Sequence, residues 1–240
     1  SGYELTEDGA ELIEKAEALE AAAHAFAVGA DTQAQMSGHV RLATAENVAT
    51  ELILPELPAF RAQYPDLLVE LVTDISTANL HRRDADLALR MVRPERGNVT
   101  LRALGTLGYG LYCSTSYELR RESNPDLGYY DTDDFITWGE MYSHLPAAQW
   151  IERILRGRRP ALTTTSLATQ VAAAKAWLGL ALLPHFIAQN SGLVCVDTDL
   201  GVDQPIYLVI QTDLAKSRRI RALADFLTDV VARNGERLGG

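Results

Sequence analysis

The order of segments along the chain predicts an α/β fold in which helices cover parallel sheets. Short apolar runs with strand character alternate with amphipathic helical segments, as in 39–45, 47–65, 67–74 and 85–91. The run at 87–89 has no polar residue, which is typical of a strand buried on both faces. A hydrophobic content of 47% and a mean hydropathy near zero belong to an ordinary globular chain.

The first predicted helix, residues 6–26, precedes this alternating pattern. Thr6 is suited to cap its start, and Glu7 and Asp8 lie in its first turn. Its apolar residues recur at steps of four and three and form one narrow seam: Leu12, Ala16, Leu19, Ala23 and Phe26. Packing on the chain's own domain is one interpretation, but so narrow a stripe favours pairing with a second copy of the chain. Residues 28–38 lose this periodicity and are predicted to be a linker.

The remaining elements follow from the same patterns. The helix at 47–65 contains Pro55 and Pro58, so we expect it to be broken or kinked there. A short helix is predicted at 79–84, and the stretch 109–202 mixes strands and helices. The chain is predicted to end in a strand at 205–212 and an amphipathic helix at 216–234.

Composition and motifs narrow the class of function. A formal charge of -10 argues against DNA binding by this chain itself. Without a signal peptide or a long apolar run, we expect a cytoplasmic protein with no membrane partner. Cys113 and Cys195 lie in apolar surroundings, and free thiols are favoured there over a disulfide. Glu140 and His144 are one helical turn apart without a third ligand, and the familiar nucleophile, zinc and phosphate motifs are missing. We therefore expect no catalytic residues, no metal site and no cofactor.

Six segments in order resemble the LysR-type transcriptional regulators along nearly the whole chain. GYELTEDG resembles the end of that family's winged helix-turn-helix domain, and the segment 38–72 resembles the first strand, helix and second strand of its effector domain. The other four are ADLALRMVRP, LYCSTSYELRRESNP, LGLALLPHFIAQ and PIYLVIQTDLAKSRRIRALADFLTDVV.

The resemblance implies a two-lobed effector domain, similar to the type 2 periplasmic binding proteins and preceded by a long linker helix. Residues 1–37 would be the end of the winged helix-turn-helix and the dimerisation helix, 38–107 plus 206–234 lobe I, and 108–205 lobe II. A small, polar effector would bind between the lobes of a homodimer or homotetramer, and DNA would be bound only through the absent N-terminal domain. A solute-binding protein of a transporter has the same fold and is the alternative.

Polar groups at the expected lobe edges are the candidate effector ligands, because ligands of open parallel sheets bind beyond the carboxyl ends of the strands. Each of these groups could equally be a helix cap. They are Thr44, Ala45, Glu46, Asn47, Asp74, Ser76 and Thr77 in lobe I, and Thr137, Thr164, Thr165 and Ser166 in lobe II. Trp177 stands where the family usually has glycine, and it is expected either to line the cleft or to pack in the core. The carboxylates of Glu46 and Asp74 argue against a firm choice of an anionic effector.

Overall fold

The computed structural model describes residues 13, 15–17, 19–20, 36–73, 85–94, 98–122 and 130–239. The described residues of the predicted N-terminal helix are helical and exposed, and Leu19 is 75% exposed. Leu12, Ala23 and Phe26 lie outside the described residues, as does the helix predicted at 79–84.

Five strands form the sheet of the first lobe. They are β1 (Gly38–Ala43), β2 (Leu67–Val72), β3 (Leu87–Arg90), β4 (Val99–Leu107) and β10 (Gln204–Gln211). Their spatial order is β2-β1-β3-β10-β4. β1 is parallel to β2 and β3, whereas β10 runs antiparallel between β3 and β4.

Five further strands form the sheet of the second lobe. They are β5 (Tyr109–Cys113), β6 (Phe135–Trp138), β7 (Leu162–Thr164), β8 (Leu180–Pro184) and β9 (Val194–Asp197). Their spatial order is β7-β6-β8-β5-β9, and β6 is parallel to β7 and β8. β5 is antiparallel to both of its neighbours, β8 and β9.

The parallel pairing predicted for the strands within 39–91 is confirmed, and each sheet also contains an antiparallel strand that was not predicted. The antiparallel strands, β5 and β10, are the first strands after the chain crosses from one lobe to the other. A chain that returns through a sheet directly, without a helix to carry it back, runs against its neighbours. The two lobes thus have the same arrangement, in which one antiparallel strand is inserted into an otherwise parallel sheet.

Helices cover both sheets. They are α1 (Glu46–Val48), α2 (Leu57–Gln63), α3 (Thr115–Glu122), α4 (Pro146–Leu155), α5 (Leu167–Lys175), α6 (His185–Ala188), α7 (Arg218–Arg233) and α8 (Gly235–Gly239). α7 matches the helix predicted at 216–234 and buries Ile220, Leu223 and Leu227 against the first sheet. The core of the second lobe lies on both faces of its sheet and includes Phe135 and Leu183, which are fully buried.

The helix predicted at 47–65 is broken where its prolines occur. After α1 the chain forms a π-helical turn over Ala49–Ile53, and α2 begins only at Leu57. Pro55 has no N–H to continue the helix, while Pro58 lies in the first turn of α2, where the missing N–H costs little.

The two chain crossings lie side by side between the lobes. A single residue, Gly108, separates β4 from β5, and its N–H donates to the carbonyl of Leu238 at 2.6 Å. The carboxylate of Asp203, in the returning crossing, accepts a hydrogen bond from the backbone N–H of Tyr109 at 3.0 Å. A Cβ at Gly108 would lie 2.8 Å from both the carbonyl oxygen of Gly239 and the ring of His185, so only glycine fits there.

Trp177 occupies the position after α5 that usually belongs to glycine. Its N–H donates to Ala174 and that of Leu178 to Ala173, the hydrogen-bond pattern of a Schellman motif. This motif requires a left-handed residue, and Trp177 has φ +68. Its indole is 64% exposed, so Trp177 is neither packed in the core nor stabilised by burial.

We expect Trp177→Gly to stabilise the fold by about 0.5–1 kcal/mol, since it relieves a left-handed non-glycine residue. The nearby Gly179→Ala is the contrasting variant, because Gly179 has φ +145 and a Cβ there would lie 2.3 Å from the carbonyl oxygen of Asp134. Thermal unfolding should show a higher midpoint for the first variant and a markedly lower one for the second. A lower midpoint for Trp177→Gly would mean that the indole makes contacts worth more than the strain.

His185 is a buried histidine beside the crossings. It is 3% exposed, and its Nδ1 lies 2.7 Å from the hydroxyl of Tyr112. Burial lowers the pKa of His185 below its usual value, and the nearby carboxylate of Asp203 only partly opposes this shift. Because the folded state holds His185 neutral while the unfolded chain binds a proton near its ordinary pKa of about 6.5, stability is present above that pH and is lost as pH falls below it.

We therefore expect the free energy of unfolding to fall more steeply between pH 7.5 and 5.5 in the parent than in His185→Gln. Urea unfolding at each pH measures both slopes. Equal slopes would show that protonation of His185 does not contribute.

Candidate functional site

A cavity with a volume of about 150 Å³ lies between the two lobes of the described chain. From the first lobe it is lined by Ala43, Thr44, Ala45, Asn47, Leu89, Arg90, Met91, Val92 and Leu107. The remaining lining residues are Tyr109, Trp138, His144, Leu145, Ala147, Leu167, Leu182, Pro184 and Gln204. Both lobes and both chain crossings therefore contribute to one cavity.

The sheets explain why these residues meet. Thr44 follows the carboxyl end of β1, Met91 follows that of β3, and Trp138 is the last residue of β6. In open α/β sheets a ligand binds beyond the carboxyl ends of parallel strands, where loops diverge and leave a crevice. The cavity occupies that position in both lobes at once.

In lobe I the structure brings three predicted residues to the cavity. Thr44, Ala45 and Asn47 line it, whereas Glu46 is exposed and is not among its lining residues. Asp74, Ser76 and Thr77 lie outside the described residues.

In lobe II the predicted polar residues lie at the start of α5. The Ser166 hydroxyl accepts a hydrogen bond from the N–H of Thr169 at 3.4 Å, and that of Thr164 accepts one from the N–H of Ser166 at 3.2 Å. The first of these bonds caps the helix and the second holds the capping residue in place. The first helical residue, Leu167, lines the cavity in place of these groups. Thr165 is not among the lining residues.

Thr137 and Trp177 are also set back from the cavity. Thr137 is 8% exposed and its hydroxyl has no hydrogen-bond partner, but its neighbour Trp138 is the residue that lines the space. Trp177 follows the far end of α5, about 13 Å along the helix axis from its start. The structure therefore places Trp177 away from the cleft.

The sequence prediction missed Arg90 and the apolar wall. Leu89, Met91, Leu145 and Leu182 come from strands and loops that are far apart in sequence, so only the fold shows that they share a surface. Arg90 could have been suspected because it ends a buried strand, as Ala43 does. His144, set aside with Glu140 as a weak metal pair, also lines the cavity.

Outside the cavity, two further sequence expectations concern the thiols and the membrane. Cys113 is buried and Cys195 exposed, and both are free. Burial raises the pKa of Cys113 to about 12, and the neighbouring Glu118 carboxylate adds to this shift. Within the described part of the chain, no helix has the length and apolar character needed to span a membrane, and no cluster of three or more His, Cys, Asp or Glu residues could hold a metal ion.

Comparison with known proteins identifies related folds and sequences. A family model described as "LysR substrate binding domain" matches residues 33–232. The chain is 25% identical over 185 residues to the Mau operon transcriptional activator of Paracoccus denitrificans, covering 76% of this chain and 61% of that protein. The chain thus spans less than two thirds of the length of this curated relative.

Solved structures with the same fold include two regulators. The regulatory domain of CrgA, a LysR-type transcriptional regulator from Neisseria meningitidis, is 21% identical with a TM-score of 0.66, covering 85% of this chain and 100% of that one. Full-length AphB, the Vibrio cholerae virulence activator, is 18% identical with a TM-score of 0.63, covering 95% and 80%. At these identities the likeness establishes the two-lobed fold.

Proposed function

Because the chain belongs to the LysR substrate binding domain family, we propose that it is the effector-sensing part of a bacterial transcription regulator. The observation that carries this proposal is the cavity that both lobes and both crossings line. A small molecule there contacts both lobes at once, so it binds most tightly to one arrangement of the lobes and shifts the population toward it.

The neighbouring structures support a regulator over the solute-binding protein of a transporter. The matched family model and the relatives are described as LysR-type or transcriptional regulators. We assign the chain no catalytic role and propose that it acts in the cytoplasm, where a DNA-bound regulator works. The lobe boundaries we propose are 38–107 plus 206–234 for lobe I and 108–205 for lobe II.

Oligomerisation and DNA binding would be functions of the assembled regulator. We propose that the N-terminal helix forms a homodimer, or part of a homotetramer, and that DNA is contacted by a winged helix-turn-helix domain joined to it. The acidic charge of this chain, -10, is consistent with DNA contacts made elsewhere.

Ligand binding in the cavity can be tested by a substitution that fills the cavity. Ala147 is 4% exposed and lines the cavity, so Ala147→Leu should occupy space that a ligand needs. A thermal-shift screen of small metabolites on the parent chain identifies stabilising compounds, and Ala147→Leu should lose that stabilisation. Ala161→Leu makes the same change at an exposed position and should retain it. A compound that stabilises the parent and Ala147→Leu equally would place its site outside the cleft.

Dimerisation through the N-terminal helix can be tested at Leu19. This side chain is 75% exposed within one chain, and pairing with a second copy would bury it. Light scattering at micromolar concentration should give a dimer or larger for the parent and a lower mass for Leu19→Lys. Glu17→Lys introduces the same residue outside the seam and should keep the parent's mass. A parent that is monomeric and unaffected by either change would contradict the proposal.

A further inference from the structure

Arg90 is a partly buried cation that has no counter-ion among the described residues. It is the last residue of β3 and lines the cavity. Among the described residues it takes part in none of the ion pairs, which join other arginines and His39 to carboxylates. Burial alone lowers the pKa of Arg90, with no carboxylate to oppose the effect. A guanidinium partly removed from water and left unpaired destabilises the folded chain, so it is suited to gain a partner.

The other residues around the cavity do not supply that partner. Among the described lining residues there is no Asp or Glu, and Glu46 is exposed outside the cavity. Thr44 is the second polar group of note, because it is 3% exposed and its hydroxyl oxygen is buried without a hydrogen-bond partner. A buried hydroxyl without a hydrogen-bond partner and a partly buried guanidinium without an ion pair among the described residues therefore line the same space.

The cavity is small, and most of its remaining wall is apolar, although Asn47, Tyr109, His144 and Gln204 also line it. Its walls include Leu89, Met91, Leu145, Leu182 and Trp138. A cavity of roughly 150 Å³ with apolar walls accepts a molecule about the size of benzene. Such walls match a hydrocarbon body and provide few partners for a ligand that carries several hydroxyls.

We propose that the cleft binds a small monocarboxylate with a compact apolar body, whose carboxylate pairs with Arg90 and accepts a hydrogen bond from Thr44. This inference rests on the proposed ligand-binding role of the cleft and adds the chemical class of the ligand. Pairing with a carboxylate would compensate the partly desolvated guanidinium, and charge-assisted hydrogen bonds are the stronger kind. The apolar body would be held by the leucine and tryptophan side chains of both lobes.

The test uses two probes of similar shape, one with an anionic carboxylate and one in which a neutral amide replaces an acceptor oxygen with an NH2 donor. Cyclohexanecarboxylate and cyclohexanecarboxamide have nearly the same shape, and calorimetry on the 240-residue chain compares their affinities. We expect the carboxylate to bind about tenfold more tightly than the amide, as one charge-assisted contact would give. Equal or tighter binding of the amide overturns the anionic class, as does a failure of both probes to bind at millimolar concentration.

Arginine variants distinguish an ion pair between Arg90 and the carboxylate from a general effect of positive charge. Arg90→Gln should abolish the preference for the carboxylate, so that the two probes bind with about the same affinity. Arg93→Gln removes the same charge from an exposed position three residues later, outside the cavity, and should keep the preference. If both variants weaken carboxylate binding equally, the positive charge of this segment attracts the anion nonspecifically and Arg90 has no special role.

Two further measurements distinguish the preference for a carboxylate from ligand binding in the cleft as such. Without ligand, Arg90→Gln should unfold at a higher temperature than the parent and Arg93→Gln should not, because Arg90 is partly buried without an ion pair among the described residues, whereas Arg93 is exposed. A lower midpoint for Arg90→Gln would contradict that description. Ala147→Leu should block both probes, and probes that still bind to it would overturn the cleft as the ligand site, whichever probe is preferred.

Discussion

The close contact of the two chain crossings is the constraint on which the rest of the structure depends. Gly108 allows β4 to continue into β5 with no intervening loop, and it lies against the last helix through the hydrogen bond to Leu238. Asp203 holds the returning crossing to the outgoing one through the N–H of Tyr109. Two short adjacent connections are the kind of hinge about which two lobes rotate when such a domain closes. The cleft exists because the sheets meet at this point with the carboxyl ends of their parallel strands facing each other.

Elements whose causes are local could be predicted from the sequence. The proline break after Ile53 and the amphipathic pattern of α7 depend on residues within a few positions of each other, and both are found. The strand at Val99–Leu107 was not predicted, although Val99, Leu101 and Ala103 alternate with polar residues. Its position beside β10 also could not be predicted, because a long-range crossing determines it.

The candidate site was predicted less completely, for a physical reason. Small hydroxyl residues at strand ends are suited to ligands and to helix caps alike, and Ser166 serves as a cap in the structure. Thr44 ends beside the cavity because the chain turns there into α1 while its backbone N–H still pairs with Val72. Trp177 shows the opposite case, since its position is the left-handed end of α5, which favours glycine whatever the shape of the cleft. Whether such a residue binds a ligand or caps a helix depends on the direction in which its loop leaves the sheet, and that direction is known only from the fold.

A ligand in this cleft would act on the lobes through the strand that carries Arg90. β3 pairs with β10, and Arg90 lies opposite Tyr207 on that strand, a few residues after the returning crossing. Contacts from the first lobe reach a ligand through Arg90 and Thr44, and contacts from the second through Trp138 and Leu182. Only an arrangement that brings these groups together satisfies the cation and covers the apolar walls at the same time. A ligand therefore favours this arrangement of the lobes by the difference between its binding free energies for this arrangement and for the others. A ligand that contacted one lobe alone would bind every arrangement equally and would not shift the population.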